Sequence, residues 1–173
     1  MSGGSITGVF GSNGAQSVRG GLTVVSGVVG TGQTAYQAWA TGSESFNGDA
    51  NGDGVQDGLA FLLGAATPGT NATGLLPEVS KNGTGLVMTF DCLSAANRGI
   101  AVLNLQHSGD LGLTAAWAAA LVPGTEPLTV TVSGVDFVTT ANGALIHVVA
   151  TIPSSGNDLA GKLFGRLKAS ETP

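Results

Sequence analysis

Charge is scarce in this sequence. Asp, Glu, Lys and Arg make up only 10% of its 173 residues, and six of those are basic. With no basic cluster, the chain lacks the electrostatic footprint that nucleic-acid binding requires. Cysteine is reduced to Cys92, so no intrachain disulfide can form. Its setting, Val87-Met-Thr-Phe-Asp-Cys92-Leu93, reads as a strand in which the thiol is a small buried hydrophobe. Aromatics number nine (two Trp, one Tyr, six Phe), few enough that a core needs most of them. A sugar-binding platform would fall to Trp117. No apolar run approaches the ~18–20 residues of a membrane helix. Met1 is followed by Ser-Gly-Gly-Ser, with neither a basic region nor a hydrophobic stretch. The expectation is a cytosolic protein or the mature piece of a secreted one.

Catalytic signatures are also missing. His107, Ser108 and Asp110 are neighbours in sequence, but Ser108 has no Gly-x-Ser-x-Gly setting, and adjacent strand residues face opposite ways. His107 and His147 are not at zinc-ligand spacing. The Gly-rich N-terminus has no Lys-Ser/Thr that would make a phosphate loop. The sequence therefore predicts a protein that is not an enzyme.

Glycine, by contrast, is abundant, at 29 of 173 residues. Together with many Thr and Val, it marks a turn-rich β protein. The densest chemistry is Asp49-Ala-Asn51-Gly-Asp53-Gly54-Val55-Gln-Asp57, where three of the eleven carboxylates fall within nine positions. Like charges this close call for a cation between them. The spacing is that of a calcium loop. Asp49, Asn51 and Asp53 take positions 1, 3 and 5, and Gly54 makes the sharp turn at position 6. Val55 offers its backbone carbonyl at 7, and Asp57 binds directly or through water at 9. Position 12, where a bidentate Glu is usual, is Ala60. The loop should bind Ca²⁺ weakly or borrow an oxygen from elsewhere.

Along the chain, residues 1–34 form a Gly/Ser/Val-rich extension, a linker or a source of donated strands. Residues 35–76 hold the calcium loop and short helices, a Tyr36–Ala40 patch and Gly58–Gly64. Residues 77–173 read as an antiparallel β-sandwich, Ig-like or jelly-roll-like. Strands are predicted at Pro77–Lys81, Gly85–Phe90, Ala101–His107, Leu128–Ser133, Asp136–Thr139, Leu145–Ile152 and Lys162–Lys168. Asn82-Gly83 and Asn142-Gly143 suit type I′ hairpin turns. Ala115–Leu121 is ambiguous between helix and edge strand.

The order Ala38-Trp39-Ala40, Asp49 to Gly64, Leu105-Gln-His-Ser108-Gly-Asp110-Leu111 with Trp117, and Lys162-Leu-Phe164-Gly-Arg166-Leu-Lys168 resembles the C-terminal modules of large Verrucomicrobia–Planctomycetes-type surface proteins. The loop is similar to those of dockerins and thrombospondin type 3 repeats. The resemblance implies a secreted or cell-surface location, calcium in the loop, and a role in anchoring, adhesion or assembly. Ala60 departs from it, and the chain has one loop where dockerins have two. The expected partners are calcium, copies of the chain itself and other surface proteins. Two other readings remain: a self-assembling filament subunit that exchanges its N-terminal strand, and a carbohydrate-binding module.

Overall fold

The computed structural model describes residues 33–41, 44–83, 85–155 and 161–171. The predicted 1–34 extension therefore lies outside the described residues, apart from its last two positions. Residues 34–173 gather into one compact unit.

Thr34 starts the ordered chain as a helix cap. Its hydroxyl accepts the Gln37 N–H at 3.1 Å, and the Gln37 side chain accepts the Thr34 N–H at 2.9 Å. This reciprocal box stabilises an otherwise marginal six-residue helix, α1 (Ala35–Ala40). Helix α2 spans Asp57–Leu62, and Gly64 follows its last turn at φ +84, a left-handed position that glycine takes without strain. Tyr36 packs edge-on and Trp39 tilted against Phe61 on α2, with ring centroids 5.8 and 5.6 Å apart, and Phe46 closes the cluster 4.8 Å from Tyr36. Gly58 makes room for this: a Cβ there would lie 2.4 Å from the Phe46 ring.

A short 3₁₀ turn (Thr73–Leu75) leads into the strands: β1 Glu78–Asn82, β2 Gly85–Leu93, β3 Ala101–Ser108, β4 Ala118–Leu121, β5 Leu128–Val132, β6 Val135–Asn142, β7 Leu145–Pro153 and β8 Phe164–Glu171. They form a five-stranded antiparallel sheet, β1-β2-β7-β6-β5, and a three-stranded one, β4-β3-β8. The protein is a β-sandwich. Period-2 alternation sends Met88, Phe90, Leu103, Leu105, Phe137, Val148 and Ile152 into the space between the sheets. Phe61, Leu62 and Leu63 join the same core.

Several element boundaries differ from the sequence pattern. β2 runs past the predicted end at Phe90 to Leu93, and Asp91 faces outward and pairs across to His147. β6 continues through Thr140-Ala141-Asn142 by pairing with β7. Ala118–Leu121 is an edge strand: pairing with β3 overrides the helix preference of alanine. Ala95–Arg98 forms a short helix, α3. The type I′ expectation at Asn142-Gly143 is corrected. Asn142 pairs with Leu145, so the loop is Gly143-Ala144, with Gly143 alone at positive φ. That is the type II′ pattern of glycine at the first central position. The type I′ signature belongs to Ser133-Gly134, at φ 49 and 79 between β5 and β6.

Candidate metal centre

The acidic loop bridges the Phe46 turn and α2. Asp57 N–H donates to the Gly48 carbonyl at 2.7 Å and Gly58 N–H to the Phe46 carbonyl at 2.9 Å, which fixes the loop's two ends together. Between them the backbone wraps around the side chains. Asp49 accepts the N–H groups of Asp53 (3.1 Å) and Gly54 (2.8 Å). Asn51 Oδ1 accepts Asp53 N–H at 3.0 Å, and Asp53 Oδ1 accepts Val55 N–H at 2.8 Å. Gly52 and Gly54 take φ +69 and +86, the sharp turns that L side chains resist.

The loop also grips the segment that leads to β1. Asp53 Oδ2 accepts the Ala72 N–H at 2.6 Å, and Asn51 Nδ2 donates to the Thr70 carbonyl at 2.9 Å. These N–H bonds, with Ala72 first and Val55 next, hold the Asp53 carboxyl below the usual carboxylate range. Beneath the loop, Val55, Ala60, Ala65 and Ala72 form a small apolar cluster, against which Trp39 packs while donating to the Ala65 carbonyl at 2.7 Å. Ala60, at loop position 12, is buried in that cluster and has no side-chain oxygen to give.

The predicted ligands Asp49, Asn51, Asp53, Val55 and Asp57 thus share one hydrogen-bonded loop. Among the described residues, no group of three or more His, Cys, Asp or Glu side chains is drawn together as a metal centre. Asp57 is the unusual member. It is only 2% exposed, and among the described residues its two oxygens share a single N–H, that of Ala50, at 3.2 Å each. Among the described residues, no Lys, Arg or His pairs with any of the three loop carboxylates. The surroundings are negative as well. Burial pushes the Tyr36 hydroxyl up to about 12, helped by the carboxylates of Asp57, Glu44 and Glu171. An all-oxygen donor set with uncompensated, partly buried negative charge fits a hard divalent cation such as Ca²⁺.

The other candidate residues are arranged differently. Ser108 Oγ donates to Asp110 Oδ1 at 2.8 Å and accepts the N–H groups of Asp110 and Gly112. Asp110 also takes the N–H and the hydroxyl of Thr114. These bonds, Thr114's hydroxyl foremost, hold its carboxyl well below the usual range, and the cluster organises the β3–β4 loop. His107 points inward, 4% exposed, with Nε2 unbonded, and burial holds its imidazole below the usual pKa. Trp117 is capped by the Arg166 guanidinium, 4.1 Å from the ring centroid, and Arg166 Nε is held by Gln106 at 2.9 Å. Cys92 is fully buried, and desolvation pushes its thiol up to about 11 despite the neighbouring Arg98.

One pairing was not visible in the sequence. His147 Nδ1 and Asp91 Oδ1 lie 2.7 Å apart, and Asn142 Nδ2 donates to Asp91 Oδ2 at 2.8 Å. The pair lines a shallow groove of about 260 Å³ with Glu78, Thr89 and Leu75. Only the β2–β7 register, which sets Asp91 opposite His147, brings together residues 56 positions apart. No family model, curated protein or solved structure matches the chain.

Proposed function

We propose that this chain is a non-catalytic, calcium-braced β-sandwich module of a secreted or cell-surface protein, serving anchoring, adhesion or assembly. The observation that carries this reading is the buried Asp57 carboxylate, closing a loop of three carboxylates with no cationic side chain against them among the described residues. A buried charge with one shared N–H is costly, and a bound cation offsets it. Asp49, Asn51, Asp53 and Asp57 would supply side-chain oxygens, and Val55 its carbonyl. A Ca²⁺ ion held by these oxygens would neutralise the loop and stiffen it. The chain's own contacts carry that stiffness onward: Asp53 and Asn51 hold residues 70–72 at the entry to β1, and Asp57 begins the helix whose Phe61, Leu62 and Leu63 lie in the core. With Ala60 at position 12, the dissociation constant should fall at roughly 10⁻⁴–10⁻³ M, a range filled at millimolar external calcium.

Titration calorimetry tests this directly. Calcium should give one site per chain in that affinity range, and Asp49→Ala with Asp53→Ala should abolish the heat. A parent protein that takes up no calcium at millimolar concentration would refute the proposal.

A further inference from the structure

On the three-stranded sheet, Gly165 and Ala169 of β8 turn toward the core, so Arg166 and Lys168 turn outward and are exposed. Strand register sets them at the ends of two rows that cross the sheet, Arg166-Gln106-Ala119 and Lys168-Asn104-Leu121. The outward face therefore has a cationic side on β8, amides along β3 and the exposed Leu121 on β4. The chain's net charge is −5, yet among the described residues no carboxylate pairs with either cation. Arg166 is also held in one pose. Its guanidinium lies on the Trp117 ring, 4.1 Å from the centroid, and its Nε donates to Gln106 Oε1 at 2.9 Å. With Nε engaged, the two terminal amino groups keep the planar fork that matches a carboxylate. A side chain already fixed loses little entropy on binding.

Beside this fork, the β3–β4 loop displays leucine. The Gly112 backbone lies against the Trp117 indole, where a Cβ would come within 2.7 Å of Cδ1 and Nε1. Leu111 and Leu113 flank Gly112 and are 55% and 83% exposed. Hydrogen bonds pin the loop that carries them: Asp110 accepts the N–H groups of Gly112 (2.9 Å) and Thr114 (2.8 Å), and Ser108 Oγ accepts that of Gly112 as well. Leu111 takes φ +62, a left-handed position unfavourable to an L side chain, and such strain gathers at ligand clamps.

We propose that this face docks an acidic segment of a partner protein. One carboxylate takes the Arg166 fork, a second meets Lys168, and apolar neighbours in the same segment cover Leu111, Leu113 and Leu121. Charge complementarity selects the partner. Two cations at alternate positions of a strand stand about 6.7 Å apart, the step between alternate side chains of an extended peptide. A stacking sugar would need the indole, which Arg166 and Gly112 occupy. An anionic bilayer would be repelled by the chain's net charge. Nothing in this face depends on calcium in the acidic loop.

The test is an unbiased selection of displayed random peptides, about twelve residues long, against the full-length protein. Selected sequences should combine Asp or Glu with large apolar side chains. Their affinity, read by fluorescence polarisation, should fall about tenfold or more for Arg166→Lys, which keeps the charge and loses the fork. It should fall similarly for Lys168→Gln with Leu113→Ser. These side chains are exposed, so melting temperatures should not change, and Lys81→Gln on β1 should bind like the parent. A selection that returns no specific binder, sequences without acidic residues, or acidic peptides that bind these variants as tightly as the parent would each overturn the proposal. So would adsorption to phosphatidylglycerol vesicles that the same variants abolish, which would assign the face to a lipid surface.

Discussion

Replacing Arg98 with alanine is expected to cost about 3–5 kcal/mol of stability, among the largest effects available to a single substitution here. Arg98 is 5% exposed. Its guanidinium donates to the carbonyls of Leu93 (2.7 Å), Val122 (3.0 Å) and Pro123 (3.1 Å) and to Cys92 Sγ (3.2 Å). It therefore ties the end of β2 to the β4–β5 connection with five-donor fork geometry that no other side chain reproduces. Removing it leaves a cavity and three carbonyls without their donor, each costing about 1–3 kcal/mol when buried. Lysine should rescue little, since a single ammonium cannot reach diverging carbonyls. Chemical denaturation measures the loss. Reaction of Cys92 with a thiol reagent gives an independent readout, because the thiol is sealed in the parent and should become labelled in the variant.

Leu62→Ala is expected to cost about 2–5 kcal/mol. Leu62 lies on α2, is completely buried, and belongs to the same core as the facing strands. The substitution removes the side chain that docks the loop's helix onto the sandwich, and the rigid sheets cannot collapse into the space. Leu62→Met, which conserves volume, should cost less than about 1.5 kcal/mol. If both substitutions were neutral by denaturant titration, α2 would not be an integral part of the domain, and a cation at its N-terminus could not brace the fold.

The sandwich was legible because buried strands impose a two-residue period, and its turns are punctuated by glycine and asparagine. The acidic loop was legible for a similar reason: a short loop is local, so spacing alone brings Asp49, Asn51, Asp53 and Asp57 into one hydrogen-bonded turn. What sequence could not convey was non-local. The Asp91–His147 pair depends on strand register. The burial of Arg98 depends on where the β4–β5 connection crosses, which no local pattern around residue 98 conveys. Ala118–Leu121 became a strand only because β3 offered it a partner. Likewise, Ala60 appears in sequence only as a missing ligand. In the structure it is a packing residue in the cluster under the loop.

The central claim is that a cation in the Asp49–Asp57 loop stabilises the whole domain, and differential scanning calorimetry with and without a calcium chelator tests it most directly. For a dissociation constant of roughly 10⁻⁴–10⁻³ M, about 2 mM calcium contributes about 0.6–1.8 kcal/mol. For a domain of this size that corresponds to a melting temperature roughly 2–6 °C higher than in chelator. Asp49→Ala with Asp53→Ala should melt at the same temperature in both buffers. Superimposable melts of the parent protein with and without chelator would contradict the account.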